Sequence, residues 1–287
     1  MGKKRKKQNS EYVTADFNKK PVNIVFGIMG AIGIIGFVFG GLSLKNVYAA
    51  YSEGDSLYEG AANQYVEFID LDAIKNDNSG NVAFSDDENS ILAEGKCPFS
   101  IDFVGLKEVN PDVVGWITIE DTPINYPIVM SHDNEEYLTK SWSLSESIMG
   151  AIFMDASCNG DFSSENTIIH GHNMKNGSMF RALNNYVDEE YYKSHPYVWI
   201  CTPTTQTQYA IISVNHSFTT TDAYFSNFVL GSDTYAEWLE HRHRMSYYEC
   251  EMYNINLPCV TLSTCVSDGT DDRMVLVCQP ICQYTVD

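Results

Sequence analysis

Eight short runs rich in β-branched and aromatic residues occupy the chain between residues 113 and 279, and turn-forming residues separate them. The runs are 113–119, 124–130, 150–154, 167–170, 197–201, 208–217, 258–264 and 274–279. Many short strands in succession favour a barrel or a sandwich, because a βαβ fold would place a helix between each pair of strands. We therefore predict a mainly β domain over residues 97–287.

A helical pattern precedes this domain at residues 45–70. One face of the predicted helix would consist of Tyr58, Ala62, Tyr65 and Ile69, whose spacing matches the period of an α-helix. The following segment, 71–96, is polar and rich in turn residues, which predicts a loop. Its acidic residues lack the spacing of an EF-hand, so a solvated loop is favoured over a calcium site. Together, 45–96 form an N-terminal helical and linker region.

A second helix is predicted late in the chain, at residues 233–246. Tyr235, Trp238 and Leu239 fall on one face of it, and Asp233 can cap its N-terminus. This helix would lie in a connection between two strands of the β domain.

An apolar run extends from residue 24 to residue 44 and contains a single polar residue, Ser43. About 20 apolar residues are enough for one helix to cross a bilayer core. The sequence therefore predicts a membrane helix at 22–44 after a basic cytoplasmic tail at 1–21, with the remaining chain outside the cell. A cleaved signal peptide ending near Ala49 is the alternative, but the apolar run is longer than is typical for one.

The charge is strongly acidic and unevenly distributed. The formal net charge is −20. Residues 1–20 contribute five net positive charges, so the body after them carries −25. Because nucleic-acid affinity is dominated by phosphate contacts from cations, a body this acidic excludes a nucleic-acid partner.

One of the eight cysteines has a position suited to a nucleophile. Cys265 ends an apolar strand and precedes a polar loop, where its side chain can be partly exposed; most free cysteines are instead buried. The cysteine spacings are irregular and contain no CxxC pair, so a structural zinc site is not expected. We predict no metal site.

Two kinds of partner for this thiol occur elsewhere in the chain. His170 and His172 are two residues apart at a strand end, so both would point the same way and spacing does not choose between them. Arg273 begins the next strand, although an arginine beside two aspartates could equally form a surface ion pair. Arg181 has no obvious partner and is interpreted as a surface residue. A cysteine, a proton carrier and a fixed cation suffice for acyl transfer.

Four ordered motifs resemble the class B sortases, which are cysteine transpeptidases of Gram-positive bacteria. They are TLSTC at 261–265 followed by Arg273, IIHGHNM at 168–174, NPDVVGWI at 110–117 and DNEEYL at 133–138. The resemblance implies an eight-stranded sortase-type β-barrel at 97–287, with N-terminal helices and one helix in a late connection between strands.

The resemblance also implies roles for particular residues. The catalytic set would be Cys265, the histidine that directly follows a glycine (His172), and Arg273. Asn134, Leu138 and Ser263 would line the substrate groove. Ser267 stands where some relatives carry an acid, which makes Arg273 the third member of the set. The family uses no cofactor.

The implied reaction begins when the Cys265 thiolate attacks the carbonyl of a threonine in a C-terminal sorting signal of a secreted protein. The resulting thioester passes to an amine of a peptidoglycan precursor. The implied location is the cell membrane, with a single span and an extracellular catalytic domain. Two rivals stay open: a secreted cysteine hydrolase, in which water is the acceptor, and a surface binding module, in which Cys265 is structural.

Overall fold

The computed structural model describes residues 20–69, 81–83, 97–266 and 271–286. Its contacts divide the chain after Ala49 into two compact units, and the barrel lies in the second unit. The α-helices are α1 Lys20–Tyr65, α2 Phe103–Val109, α3 Glu189–Ser194 and α4 Asp233–Arg244. Single 3-10 segments occupy Glu136–Leu138, Phe180–Val187 and Asp222–Tyr224. The strands are β1 Val66–Phe68, β2 Asn81–Ala83, β3 Phe99–Ile101, β4 Val113–Thr118, β5 Asn125–Val129, β6 Ile152–Met154, β7 Asn166–His170, β8 Tyr197–Cys201, β9 Thr205–Phe218, β10 Cys259–Cys265 and β11 Asp272–Thr285.

Eight strands close into a barrel, which confirms the predicted fold. Their order around the barrel is β4-β5-β6-β7-β10-β11-β9-β8, and β8 pairs again with β4. The pairs β5–β6 and β7–β10 are parallel, and the other neighbours are antiparallel. The short strand β2 extends the sheet beside the end of β11, and β1 pairs with β3 in a separate ladder.

Strand β11 buries both of its faces, which explains its continuous apolar sequence. Met274 and Leu276 point into the main core, whereas Val275 and Val277 pack in a second cluster with α4. Because side chains alternate along a strand, Arg273 lies on the same face as Val275 and Val277. That face is the outer face of the barrel.

The late helix is confirmed, and its cap lies one residue earlier than predicted. The Ser232 hydroxyl accepts a hydrogen bond from the Tyr235 backbone N–H, so Ser232, not Asp233, is the N-cap. Trp238 and Leu239 are buried, as the spacing predicted.

The N-terminal helix ends earlier than residue 70. Tyr58 and Tyr65 are buried as predicted, but Val66–Phe68 leave the helix and pair with β3. The backbone N–H of Asp102 also donates to the carbonyl of Tyr65. Backbone hydrogen bonds to the distant strand β3 replace the helical hydrogen bonds at these residues. A pairing with a distant strand cannot be predicted from the local spacing of apolar residues.

Parts of the predicted N-terminal organisation lie outside the described residues. These are the basic tail up to residue 19 and most of the loop predicted at 71–96. Within that loop, residues 81–83 form β2.

The predicted membrane helix at 22–44 is contradicted. Crossing a bilayer core requires about 20 consecutive, mostly apolar residues in one helix. Across residues 20–69, 81–83, 97–266 and 271–286, no helix has the length and apolar character to do this. The predicted single-pass location in the cell membrane is therefore wrong.

Candidate active site

A groove of about 330 Å³ on the barrel brings together all six residues singled out from the sequence. The six are Asn134, Leu138, His172, Ser263, Cys265 and Arg273. They come from the connections after β5 and β7 and from the paired strands β10 and β11. Residues separated by more than a hundred positions therefore share one surface of the fold.

Cys265 and Arg273 face each other across the antiparallel pair of β10 and β11. Directly opposed residues of such a pair have Cβ atoms about 4.5–5.5 Å apart and project to the same face. For these two residues that is the outer face, so thiol and guanidinium both reach the groove. The Arg273 guanidinium also donates to the backbone carbonyl of Asp272 at 3.2 Å.

Cys265 differs from the other cysteines in its exposure. All eight are free thiols; seven are buried, and Cys265 is partly exposed. Burial raises the pKa of Cys259 to about 12, and burial likewise raises the pKa of Cys278 far above its usual range. These two thiols are therefore inert at neutral pH, since the thiolate is the nucleophilic form.

His172 is held by a backbone carbonyl. Its Nε2 lies 2.8 Å from the carbonyl oxygen of Leu138. A carbonyl can only accept, so Nε2 carries a hydrogen and donates it. In the neutral imidazole the other nitrogen, Nδ1, then carries the lone pair. Nδ1 is therefore the atom that can take up and release a proton.

Two glycines shape the surroundings of this imidazole. Gly150 has φ +56°, and a Cβ there would lie 2.8 Å from His172 Cδ2 and 2.7 Å from the carbonyl oxygen of Tyr137. A Cβ on Gly171 would lie 2.5 Å from Ile152 Cδ1 and 2.7 Å from the Phe180 ring. The buried Tyr58 hydroxyl of α1 donates to the carbonyl of Gly150. The N-terminal helix thereby supports the backbone that touches the imidazole.

Two amide side chains hold the backbone at the cysteine and an arginine supports one of them; sequence reasoning missed the roles of all three. Asn184 Nδ2 donates to the Cys265 carbonyl at 3.3 Å, and Asn173 Nδ2 donates to the Val266 carbonyl at 3.0 Å. Arg181, interpreted from sequence as a surface residue, is exposed but donates to Asn173 Oδ1 at 2.9 Å. The residue after His172 is thus tied to the residue after Cys265. Asn173 lies within the histidine motif, and that position could have indicated its role. No sequence pattern pointed to Asn184 or Arg181.

A polar network forms another part of the groove wall. Asp155 Oδ2 accepts hydrogen bonds from Asn134 Nδ2 at 2.9 Å and from His170 Nε2 at 3.0 Å. The His170 ring stacks with the ring of Tyr224 at 6.0 Å. Burial alone would raise the pKa of Asp155, but hydrogen bonds from His170 and Ser157 hold it well below its usual range. His170 therefore lines the groove beside His172, but a carboxylate engages it.

Ser263 and Leu138 complete the predicted substrate residues. The Ser263 hydroxyl is buried and bonded to the Tyr224 hydroxyl at 2.8 Å, whereas Leu138 is 40% exposed. Leu138 thus offers an apolar contact, and Ser263 supports the wall. Within the described part of the chain, no group of three or more His, Cys, Asp or Glu side chains could hold a metal ion.

The outer groove of this eight-stranded barrel contains a cysteine, a histidine and an arginine. These are the groups that a cysteine acyl-transfer enzyme requires: a nucleophile, a proton carrier and a fixed cation. The family model of the Sortase domain matches residues 117–281. The chain therefore belongs to the sortase family of cysteine transpeptidases, and the relatives it matches are class B sortases.

Three relatives show the extent of the similarity. Sortase B of Listeria monocytogenes is 36% identical over 178 residues, which cover 60% of this chain and 70% of that protein. The crystal structure of sortase B from B. anthracis in complex with AAEK1 has 28% identity and a TM-score of 0.63, covering 82% of this chain and 99% of that chain. A Staphylococcus aureus sortase B–substrate complex has 27% identity and a TM-score of 0.59, covering 62% of this chain and 84% of that chain.

Proposed function

We propose that this chain cleaves a C-terminal sorting signal of secreted proteins and joins the new carboxyl end to a cell-wall amine, through a thioester on Cys265. The observation that carries the proposal is the shared groove of Cys265, His172 and Arg273, with the cysteine and the arginine in direct register. A relative solved as a complex with its substrate supports a peptide ligand for the same fold.

In the first half of the reaction, the Cys265 thiol gives its proton to His172 Nδ1, and the resulting thiolate attacks the carbonyl carbon of the scissile peptide bond. The C–S bond forms while negative charge develops on the carbonyl oxygen. The Arg273 guanidinium is a fixed donor beside the thiol and stabilises that charge. When the C–N bond breaks, the leaving amine takes a proton from His172 Nδ1.

In the second half, an incoming primary amine attacks the thioester. Its proton passes to His172 Nδ1, the new amide C–N bond forms and the C–S bond breaks. Cys265 departs as the thiolate and is ready for another cycle. The bond to the Leu138 carbonyl keeps Nδ1 directed to this task in both halves, because the ring cannot turn without losing it.

In this proposal, the groove wall holds the acyl part of the substrate. Leu138, Phe153 and Tyr224 supply apolar surface. Both hydrogen-bonding atoms of the Asn134 amide are engaged, since Nδ2 donates to Asp155 and Oδ1 accepts from the Ala156 N–H. Asn134 therefore presents a fixed amide with one remaining N–H to the substrate.

The test uses the full chain and a pooled library of peptides, each with a proline followed by a threonine within one pentapeptide. Cleavage is followed with triglycine present as the amine. We expect cleavage to be lost in Cys265→Ala and His172→Ala and to fall about 100-fold or more in Arg273→Lys, because lysine lacks the planar fork of donors. Matched controls are His132→Ala and Arg244→Lys, two exposed positions outside the groove. Full turnover by Cys265→Ala would refute the assignment.

A further inference from the structure

A second, smaller cavity adjoins the groove at its reactive residues. It measures about 220 Å³ and is lined by Tyr51, His172, Asn173, Met174, Lys175 and Cys265. Its lining has only His172 and Cys265 in common with that of the larger groove. The thiol and the imidazole therefore stand where two separate spaces meet.

The chemistry of the proposed reaction requires two such spaces. By microscopic reversibility, the leaving amine and the entering amine use the same path and exchange a proton with the same atom, here His172 Nδ1. The acyl chain stays in place on the other side of the reacting carbonyl. An amine can therefore reach the thioester while the acyl chain occupies its own groove only if a second space opens on the cysteine and the histidine.

The walls of the smaller cavity suit the end of an amine chain. Tyr51 and Met174 give it apolar surface. The Asn173 amide is already bonded to Val266 and Arg181, so it supports the wall without competing for the ligand. Lys175 adds a positive charge, and a nearby positive charge favours the uncharged form of an amine. The uncharged form is the one that attacks.

We propose that this cavity is the site of the acceptor: a primary amine on a flexible chain, held between Tyr51 of α1 and the 173–175 segment. The inference rests on the proposed function and adds a binding residue, Tyr51, that none of the sequence motifs contains. The N-terminal helix then forms part of the acceptor site.

The experiment measures how the acyl-enzyme partitions between water and triglycine. The ratio of aminolysis to hydrolysis depends only on steps after the thioester forms, so it isolates acceptor binding from acylation. Tyr51→Trp fills the cavity and Tyr51→Ala removes one of its walls. We expect each to lower the ratio about tenfold, the scale on which apolar contacts discriminate ligands. Phe68→Ala, a 77% exposed aromatic outside both linings, is the matched control and should leave the ratio unchanged.

The outcomes separate this inference from the proposed function. Thioester formation in the Tyr51 variants shows that they are folded and that acylation works. If the thioester forms and the ratio stays within twofold of the parent in both variants, the acceptor site lies elsewhere. If no thioester forms in the unmodified chain, the proposed function fails and the acceptor site fails with it.

Discussion

Replacing Gly150 with alanine tests how the imidazole is positioned. The added Cβ would lie 2.7 Å and 2.8 Å from the carbonyl oxygens of Tyr137 and Leu138 and 2.8 Å from His172 Cδ2. Movement of the imidazole relieves only the contact with Cδ2, so the two backbone carbonyls must shift as well to accept the methyl group. An ordinary contact of about 3.4 Å between the new Cβ and His172 Cδ2, in place of the 2.8 Å found at Gly150, requires the imidazole to shift by about 0.6 Å.

A shift of this size in the imidazole is large for catalysis. A displacement near 1 Å can cost about 100-fold in rate, so we expect acylation to slow between about tenfold and 100-fold. This corresponds to about 1.4–2.7 kcal/mol in activation free energy. The left-handed backbone by itself adds about 1–2 kcal/mol of destabilisation for a residue with a Cβ, which lowers Tm by about 2–8 °C, and the contacts with the two carbonyls add to this loss.

The assay is single-turnover thioester formation, followed by quenching and intact-mass measurement, together with thermal unfolding. Gly231→Ala is the matched control, because Gly231 also has positive φ (+73°) but a Cβ there would meet only the Asn256 side chain. It should lower Tm by less than Gly150→Ala does and leave acylation unchanged. Acylation by Gly150→Ala within twofold of the parent would refute the argument that this glycine positions the imidazole.

Three further predictions follow from the contacts around the site. Tyr58→Phe removes the donor to the Gly150 carbonyl and should lower the free energy of unfolding by about 1 kcal/mol, measured by urea denaturation; an unchanged midpoint contradicts this. Asn173→Ala releases the Val266 carbonyl and should slow acylation more than it raises KM; a change in KM alone would show that Asn173 acts on binding. The pKa of Asp155 is depressed in the fold, so its stabilisation is complete above the unfolded pKa of about 3.9 and is lost as the pH falls toward the folded value. The difference in unfolding free energy between the parent and Asp155→Asn should therefore shrink below about pH 4, and a difference independent of pH contradicts the depressed pKa.

The strands of the barrel could be predicted from the sequence because each strand is marked by a short-range pattern. Short apolar runs with turn residues between them define strands, and β10 and β11 follow that pattern closely. The sequence also placed Cys265 at a strand end and Arg273 at the start of the next strand, and the structure adds that the two lie directly opposite each other. The assignment of Cys265, His172 and Arg273 as the reactive groups rests on the resemblance to the class B sortases and stays a prediction.

The hydrogen bonds that hold the backbone around the site could not be predicted from such local patterns. Tyr58 reaches Gly150 across 92 positions, and Asn173 reaches Val266 across 93; neither pair leaves a local pattern. The end of α1 has the same explanation, because pairing of Val66 with Ile101 overrides helical spacing. The choice between His170 and His172 needed the family motif, and the structure adds that Asp155 engages the former.

The most direct test of the account is the identity of the acylated residue. The full chain is incubated with the peptide library without an added amine, quenched in acid, digested and mapped by tandem mass spectrometry. The account predicts an acyl mass on Cys265 alone, because the other seven thiols are buried. The threonine carbonyl of the acyl group should be bonded to the Cys265 sulfur, and hydroxylamine should release the acyl group. An acyl group on any other residue, or peptide cleavage with Cys265 unmodified throughout, would contradict it.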